Sequence, residues 1–196
     1  MNPGKKIQFT GLISSALMLG LILLTPALTL GQDSYKAQKA SVSISGTSTM
    51  HDWEMKGEGF TCNSQFSLEG NKVTGVKGLQ LTIPVTALKS GKGAMDKNAY
   101  SALKADDHKQ IVYALTSSKI VGNKIISSGN LTIAGVTKPM EVESTFTVNA
   151  DNTISTKTSK SFKMSEFNVE PPSFMFGSVT TGDAITLTFD FTFKKI

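Results

Sequence analysis

Apolar residues recur at every second position in stretches of about ten residues, and this pattern restricts the chain more than any other feature. The last stretch is the cleanest. Ile185, Leu187, Phe189, Phe191 and Phe193 share one parity; Ala184, Thr186, Thr188, Asp190 and Thr192 share the other. A period of two places the first set on a buried sheet face and the second on a wet one. Leu79, Leu81, Ile83 and Val85 repeat the pattern, as do Leu131 with Ile133, and Val142, Phe146 and Val148. Ile111, Tyr113 and Leu115 alternate with residues apolar enough to make both faces of that stretch mixed.

Turn signals divide these stretches: Gly70-Asn71, Gly122-Asn123, Asp151-Asn152 and Thr181-Gly182-Asp183. Alternation between short turns predicts an antiparallel sheet of hairpins. The predicted strands are 41–49, 52–60, 62–69, 72–85, 110–121, 124–134, 140–149, 153–164 and 184–194. Gly93 to Lys104 breaks the pattern. It is rich in helix formers, and Met95, Ala99, Ala102 and Leu103 fall on one helical face, which predicts one short helix. A long meander leaves exposed edges unless it closes. The expected fold is therefore all-β: an antiparallel barrel of about eight strands with one short α-helix, wide enough for packed side chains or one elongated ligand.

The N-terminus reads differently. Lys5 and Lys6 precede an apolar run from Leu12 to Leu24, followed by Pro26 and the small residues Thr29 and Gly31. This is the order of a secretory signal peptide, expected over residues 1–31, with cleavage after Ala27 as the alternative. The run is shorter than the roughly 20 apolar residues that span a bilayer. Residues 32–196 then form one domain, expected in the periplasm or outside the cell. The only cysteine, Cys62, is read as a small strand residue, so stability must come from the core rather than from disulfides.

Charge and motifs narrow the function. The net charge is +5, and about +3 once Lys5 and Lys6 leave with the leader. Every basic residue is a lysine, scattered along the chain; specific nucleic-acid readers lean on arginine forks, so no nucleic-acid partner is expected. His51, with Ser48 and Asp52 beside it, does not make a triad, because triad members converge from separate elements. His108 after Asp106 and Asp107 lacks the partner cluster of a metal site. No Gly-x-Ser-x-Gly elbow and no phosphate-cradling loop occurs. The expectation is no catalytic residue, no metal, no cofactor and no enzyme. Pro171-Pro172-Ser173-Phe174-Met175-Phe176-Gly177 reads as an apolar loop that either plugs one end of the barrel or forms the lip of a cavity.

Gly129-Asn130-Leu131-Thr132-Ile133-Ala134-Gly135-Val136-Thr137-Lys138-Pro139 resembles the central signature of the YceI-like family of bacterial secreted proteins. Ala99 to Leu115, with Leu103-Lys104-Ala105 leading into the strand of Ile111 and Tyr113, resembles that family's helix-to-strand segment. Phe162-Lys163-Met164-Ser165-Glu166-Phe167 and the final strand match as well, so the resemblance covers nearly all of the expected mature chain. Gly46 to Trp53, Pro171-Pro172 and Phe174 to Gly177 look like the Bacteroidetes-type branch.

The resemblance implies a lipocalin-like barrel that holds a polyisoprenoid, such as an isoprenoid quinone, as ligand rather than cofactor. A periplasmic or secreted carrier of an isoprenoid or other long-chain amphiphile follows, touching membranes only transiently; monomer and homodimer both fit. The alternative is an envelope module with a filled barrel. Apolarity selects Leu81, Ile83, Tyr113, Leu131, Ile133, Phe146, Leu187, Phe189 and Phe191 as lining, with Phe174 and Phe176 at the rim.

Overall fold

The computed structural model of the chain describes Gly4, residues 32–174 and residues 176–196. Apart from Gly4, the predicted leader lies outside the described residues, as does Met175. Eleven strands follow in order: β1 (Gln32–Ser48), β2 (Trp53–Gly57), β3 (Thr61–Glu69), β4 (Lys72–Pro84), β5 (Leu88–Lys89), β6 (Gln110–Val121), β7 (Lys124–Ile133), β8 (Val136–Val148), β9 (Ile154–Lys163), β10 (Ser173–Phe174) and β11 (Val179–Lys195). One helix, α1 (Gly93–Ala102), lies between β5 and β6, and short 3-10 turns cover Val85–Ala87 and Met164–Phe167.

Eight strands close a barrel in the order β1-β3-β4-β6-β7-β8-β9-β11, and β11 pairs back onto β1. All of these ladders are antiparallel. The expected all-β barrel with one short helix is thus what the described residues form. β2, β5 and β10 are additions at one end. β1 pairs with β3 near its start and with β2 near its end, so its second edge is shared between two partners.

β11 begins at Val179, not 184, so Thr181-Gly182-Asp183 lies inside the strand and not in a turn, and three other boundaries differ from the sequence prediction for physical reasons. β1 begins at Gln32, not 41, because its polar first half is held by ladders to β3 and β11 rather than by alternation. Tyr35 is the residue that this half buries. The second strand is shorter than 52–60, because β2 stops at Gly57 and Gly59 turns the chain with a φ of 61°. β8 begins at Val136 and runs through Pro139, although proline lacks the N–H a central strand donates. The β8–β9 ladder covers only Ser144↔Thr158 to Val148↔Ile154. Pro139 therefore lies where β8 is laddered to β7 alone, with Asn130 opposite.

The barrel has a closed end and an open end. At the closed end Tyr35, Phe66 and Phe193 pack edge-to-face, with centroids 5.1 Å and 5.3 Å apart, and Phe191 meets Phe193 edge-on at 5.7 Å. Phe66 and Phe193 are each 1% exposed, and burying such a side chain stabilises by about 1.5–3 kcal/mol. Nearby, β4 and β6 no longer ladder; Ser118 Oγ bridges them, donating to Val76 O (2.7 Å) and accepting from Val76 N (3.2 Å). Cys62 is buried on β3, and burial pushes its thiol up to about 12.

At the open end α1 is tied down by side chains. Asp96 Oδ1 accepts from Ser90 N (2.8 Å) and Ser90 Oγ (2.6 Å), which holds its carboxyl below the usual range. Tyr100 Oη accepts from Lys89 Nζ (2.9 Å) and lies 2.7 Å from Leu88 O.

Two signature glycines have steric reasons. A Cβ at Gly129 would lie 2.5 Å from the Tyr113 ring and 2.6 Å from Ala114 O. Gly135, at φ 79°, follows Ala134 at φ 47° in the β7–β8 turn, and the His108 ring packs on its Cα. The backbone oxygen at Ala114 cannot swing aside. Replacing Gly129 by alanine is therefore expected to lower stability by about 1–3 kcal/mol, the usual range for overpacking. Urea unfolding of Gly129→Ala against the parent protein measures it; an unchanged midpoint would contradict the contact.

Candidate functional site

The inward faces of the eight barrel strands do not fill the barrel. They enclose a cavity of about 650 Å³ that runs from the open end to the aromatic floor at Phe66 and Phe193. Its size falls within the roughly 300–1,000 Å³ of ligand clefts.

Most of the wall is apolar. Leu81 and Ile83 come from β4, Ile111 and Tyr113 from β6, Leu131 and Ile133 from β7, and Ile185, Leu187, Phe189 and Phe191 from β11. Alternation along each strand brings them together: Leu81 faces Tyr113 across the β4–β6 ladder, and Tyr113 faces Leu131 across β6–β7. The missing Cβ at Gly129 leaves room for the Tyr113 ring. Its hydroxyl lies 3.3 Å from Ser127 O. Burial, and to a lesser degree the carboxylate of Glu141, pushes the Tyr113 phenol from its usual 10 up to about 12.

One sector of the wall is polar. Ser127 on β7, Ser144 on β8, and Thr156, Thr158 and Lys160 on β9 all line the cavity. Ser144 Oγ and Thr158 Oγ1 are hydrogen-bonded at 2.6 Å. On β9 the inward parity runs Ile154, Thr156, Thr158, Lys160, Phe162, so three polar side chains separate two buried apolar ones.

The open end is framed by α1, through Met95, Ala99 and Leu103, and by the turn from Ser48 to His51. That turn is fixed by Ser48 Oγ, which donates to His51 O (2.7 Å) and accepts from His51 N (3.2 Å). Trp53 also borders the cavity, its ring over Gly46 and its Nε1 donating to Thr47 O (3.0 Å). The β10–β11 hairpin joins this frame: Thr49 N donates to Thr180 O (3.0 Å).

Of the residues selected from sequence, Leu81, Ile83, Tyr113, Leu131, Ile133, Phe174, Leu187, Phe189 and Phe191 border this cavity. Two are placed elsewhere. Phe146 shares the inward parity of Val142 and Ser144 but lies one step further toward the closed end, packed on the core instead of bordering the cavity. Phe176 sits at the tip of the β10–β11 hairpin, fully exposed, at φ 55°; its apolarity identifies a loop and not the side of the loop it takes.

The α1 face at Met95, Ala99, Ala102 and Leu103, read from sequence as one apolar stripe, covers the cavity mouth. The polar sector on β7–β9 was not among the selected residues. The signal was the pairing of Ile154 and Phe162 with the same parity as Thr156, Thr158 and Lys160. Among the described residues, no three His, Cys, Asp or Glu side chains gather as a metal site would require.

A family model described as the YceI-like domain matches residues 34–193. The fold is similar to that of Burkholderia cenocepacia BcnA, with a TM-score of 0.67 and 21% identity, covering 78% of this chain and 95% of that one. A polyisoprenoid binding domain from Saccharophagus degradans aligns with a TM-score of 0.64 and 9% identity, covering 85% of this chain and 100% of that domain. The Campylobacter jejuni YceI protein aligns with a TM-score of 0.58 and 18% identity, over 71% of this chain and 82% of its own. No curated protein matches the chain.

The position of Tyr113 has a consequence for alkaline stability. A phenol whose pKa rises on folding stabilises the folded chain below its unfolded value and loses that contribution as pH climbs through the folded one. Tyr35, raised by burial and then by Asp33, acts in the same direction. Thermal midpoints are expected to fall between pH 10 and about 12, and to fall less in Tyr113→Phe. Equal alkaline losses in both proteins would contradict the burial of this hydroxyl.

Proposed function

The chain belongs to the YceI-like family, and on that premise we propose that it is a binding protein that holds an isoprenoid or other long-chain amphiphilic lipid inside its barrel. One observation carries the reading: the barrel interior is hollow, apolar for most of its circumference, and continuous from the open end to the Phe66–Phe193 floor. A filled barrel would stabilise the fold equally well and would leave no such space. Removing a tail's apolar surface from water is worth about 25 cal/mol per Å², ample driving force for a long chain in a preformed cavity. The neighbouring Saccharophagus degradans domain is described as polyisoprenoid binding, which agrees in kind.

Among the described residues the interior supplies no arrangement of nucleophile, base and orienting group, so we read binding rather than catalysis. With the leader expected over residues 1–31, the binding protein is placed in the periplasm or outside the cell. There it would keep a water-insoluble chain in solution and meet membranes only to load or release it.

Trp53 is the sole tryptophan and borders the cavity, so its emission reports occupancy. Titration with a long-chain isoprenoid quinone is expected to quench it saturably at one ligand per chain. Leu131→Phe combined with Leu187→Phe, which fills the middle of the cavity, is expected to weaken binding on the order of tenfold or more, about 1.4 kcal/mol per tenfold. No saturable binding of quinones, isoprenoid alcohols or fatty acids by the parent protein would overturn the proposal.

A further inference from the structure

The polar sector of the cavity carries information about the ligand's head. Lys160 borders the cavity from β9, one inward step beyond Thr158. Consecutive inward residues on a strand are about 7 Å apart. The β8–β9 ladder ends at the Ser144↔Thr158 pair, so Lys160 lies just past the point where the two strands part. Leu187 faces it across the β9–β11 ladder. Among the described residues its amine has no ion-pair partner: the ion pairs present are Lys124–Glu143, Lys157–Asp190 and Lys195–Asp33. Among the described residues no aspartate or glutamate borders the cavity; its ionisable lining groups there are Lys160, Lys92, His51 and Tyr113.

A lysine on the wall of a largely apolar cavity, with no carboxylate beside it, favours an anion brought to that wall. Beside it, Ser144 and Thr158 offer a hydroxyl pair already hydrogen-bonded to each other. Ammonium and hydroxyl donors together suit the oxygens of a carboxylate or a phosphate monoester, and charge-assisted hydrogen bonds are the stronger kind. A neutral quinone or alcohol head gains no such ionic pairing. The space toward Phe66 and Phe193 is apolar, as a tail requires.

We propose that Lys160, with Ser144 and Thr158, forms a headgroup site inside the barrel that selects long-chain amphiphiles carrying an anionic carboxylate or phosphate over neutral ones of the same chain. This inference rests on the lipid-binding reading above and adds the headgroup class to it.

Three probes share one tail and differ in the head: geranylgeranyl monophosphate, geranylgeranoic acid and geranylgeraniol. Calorimetric titration of the full mature chain is expected to give at least one of the two anions a tenfold or greater advantage over the alcohol. The two anions compared with each other show which acid the site takes. Lys160→Met is expected to abolish that advantage while leaving geranylgeraniol binding within about threefold. Lys157→Met, an exposed position on the outer face of the same strand, is expected to keep it. Lys92→Met tests the other lysine of the lining, at the open end.

The proposal fails if the parent protein binds the alcohol as tightly as both anions, if Lys160→Met retains the preference, or if Lys92→Met alone removes it. In each of those cases the lipid-binding reading stands. If none of the three probes binds the parent protein, this proposal fails; the lipid-binding reading falls with it only if quinones and fatty acids fail to bind as well. Should Lys160→Met fail to fold, Lys160→Gln, which keeps a polar end without the charge, gives the same comparison.

Discussion

Every interior position depends on the ladder between the first and last barrel strands. It runs from Tyr35↔Lys195 to Ser48↔Thr181, with irregularities at Ala37/Lys39 and Gly46/Ser48. Closure removes both sheet edges at once, and it fixes which parity of β11 faces in. Val42 meets Phe189 and Ile44 meets Leu187 in that register. A slip of one residue would turn the β11 phenylalanines outward and bring Thr188, Asp190 and Thr192 into the cavity. The cavity is therefore a product of register as much as of composition.

Within the closed barrel, two walls have different chemistry because two groups of strands have different inward residues. β4, β6 and β11 present leucine, isoleucine, tyrosine and phenylalanine; β8 and β9 interleave serine, threonine and lysine with apolar residues. The strands that carry most of the polar sector are also laddered to each other over only part of their length. β8 and β9 pair only from Ser144↔Thr158 toward the closed end, and the 3-10 turn of Met164–Phe167 follows directly on β9. That turn is anchored to β11 by Asp183, which accepts from Ser165 N (2.8 Å) and Ser165 Oγ (2.6 Å). Polar lining and loosened pairing thus coincide on one side of the open half. In the proposed reading an amphiphile's head lies there, and its tail elsewhere.

The sequence made some of this legible and hid the rest, for reasons that differ by strand. β11 announces itself because its inward residues are all large and apolar and its outward ones mostly polar. The Gly129-to-Pro139 signature is equally readable, and the structure supplies its cause: Gly129 yields space to Tyr113, and Gly135 completes a turn beneath His108. The first half of β1 is hidden, because Gln32 to Ala40 shows no sustained apolar alternation, Tyr35 being its one large buried side chain, and is a strand only through its partners. β9 is hidden in a subtler way. Thr156, Thr158 and Lys160 look like a solvated face, and only Ile154 and Phe162 at the ends show that this parity points inward. Phe176 shows the converse error: an apolar side chain in a turn can point to solvent, and here it does.

In the proposed reading the interior of this barrel is a ligand site and not an unfilled core. Native mass spectrometry of the protein purified without detergent from the cells that produce it tests this most directly. A second species, heavier by the mass of one long-chain amphiphile and lost on organic extraction, is the predicted result. A single species at the mass of the mature chain, unchanged after incubation with geranylgeranyl lipids bearing charged and neutral heads, would contradict it.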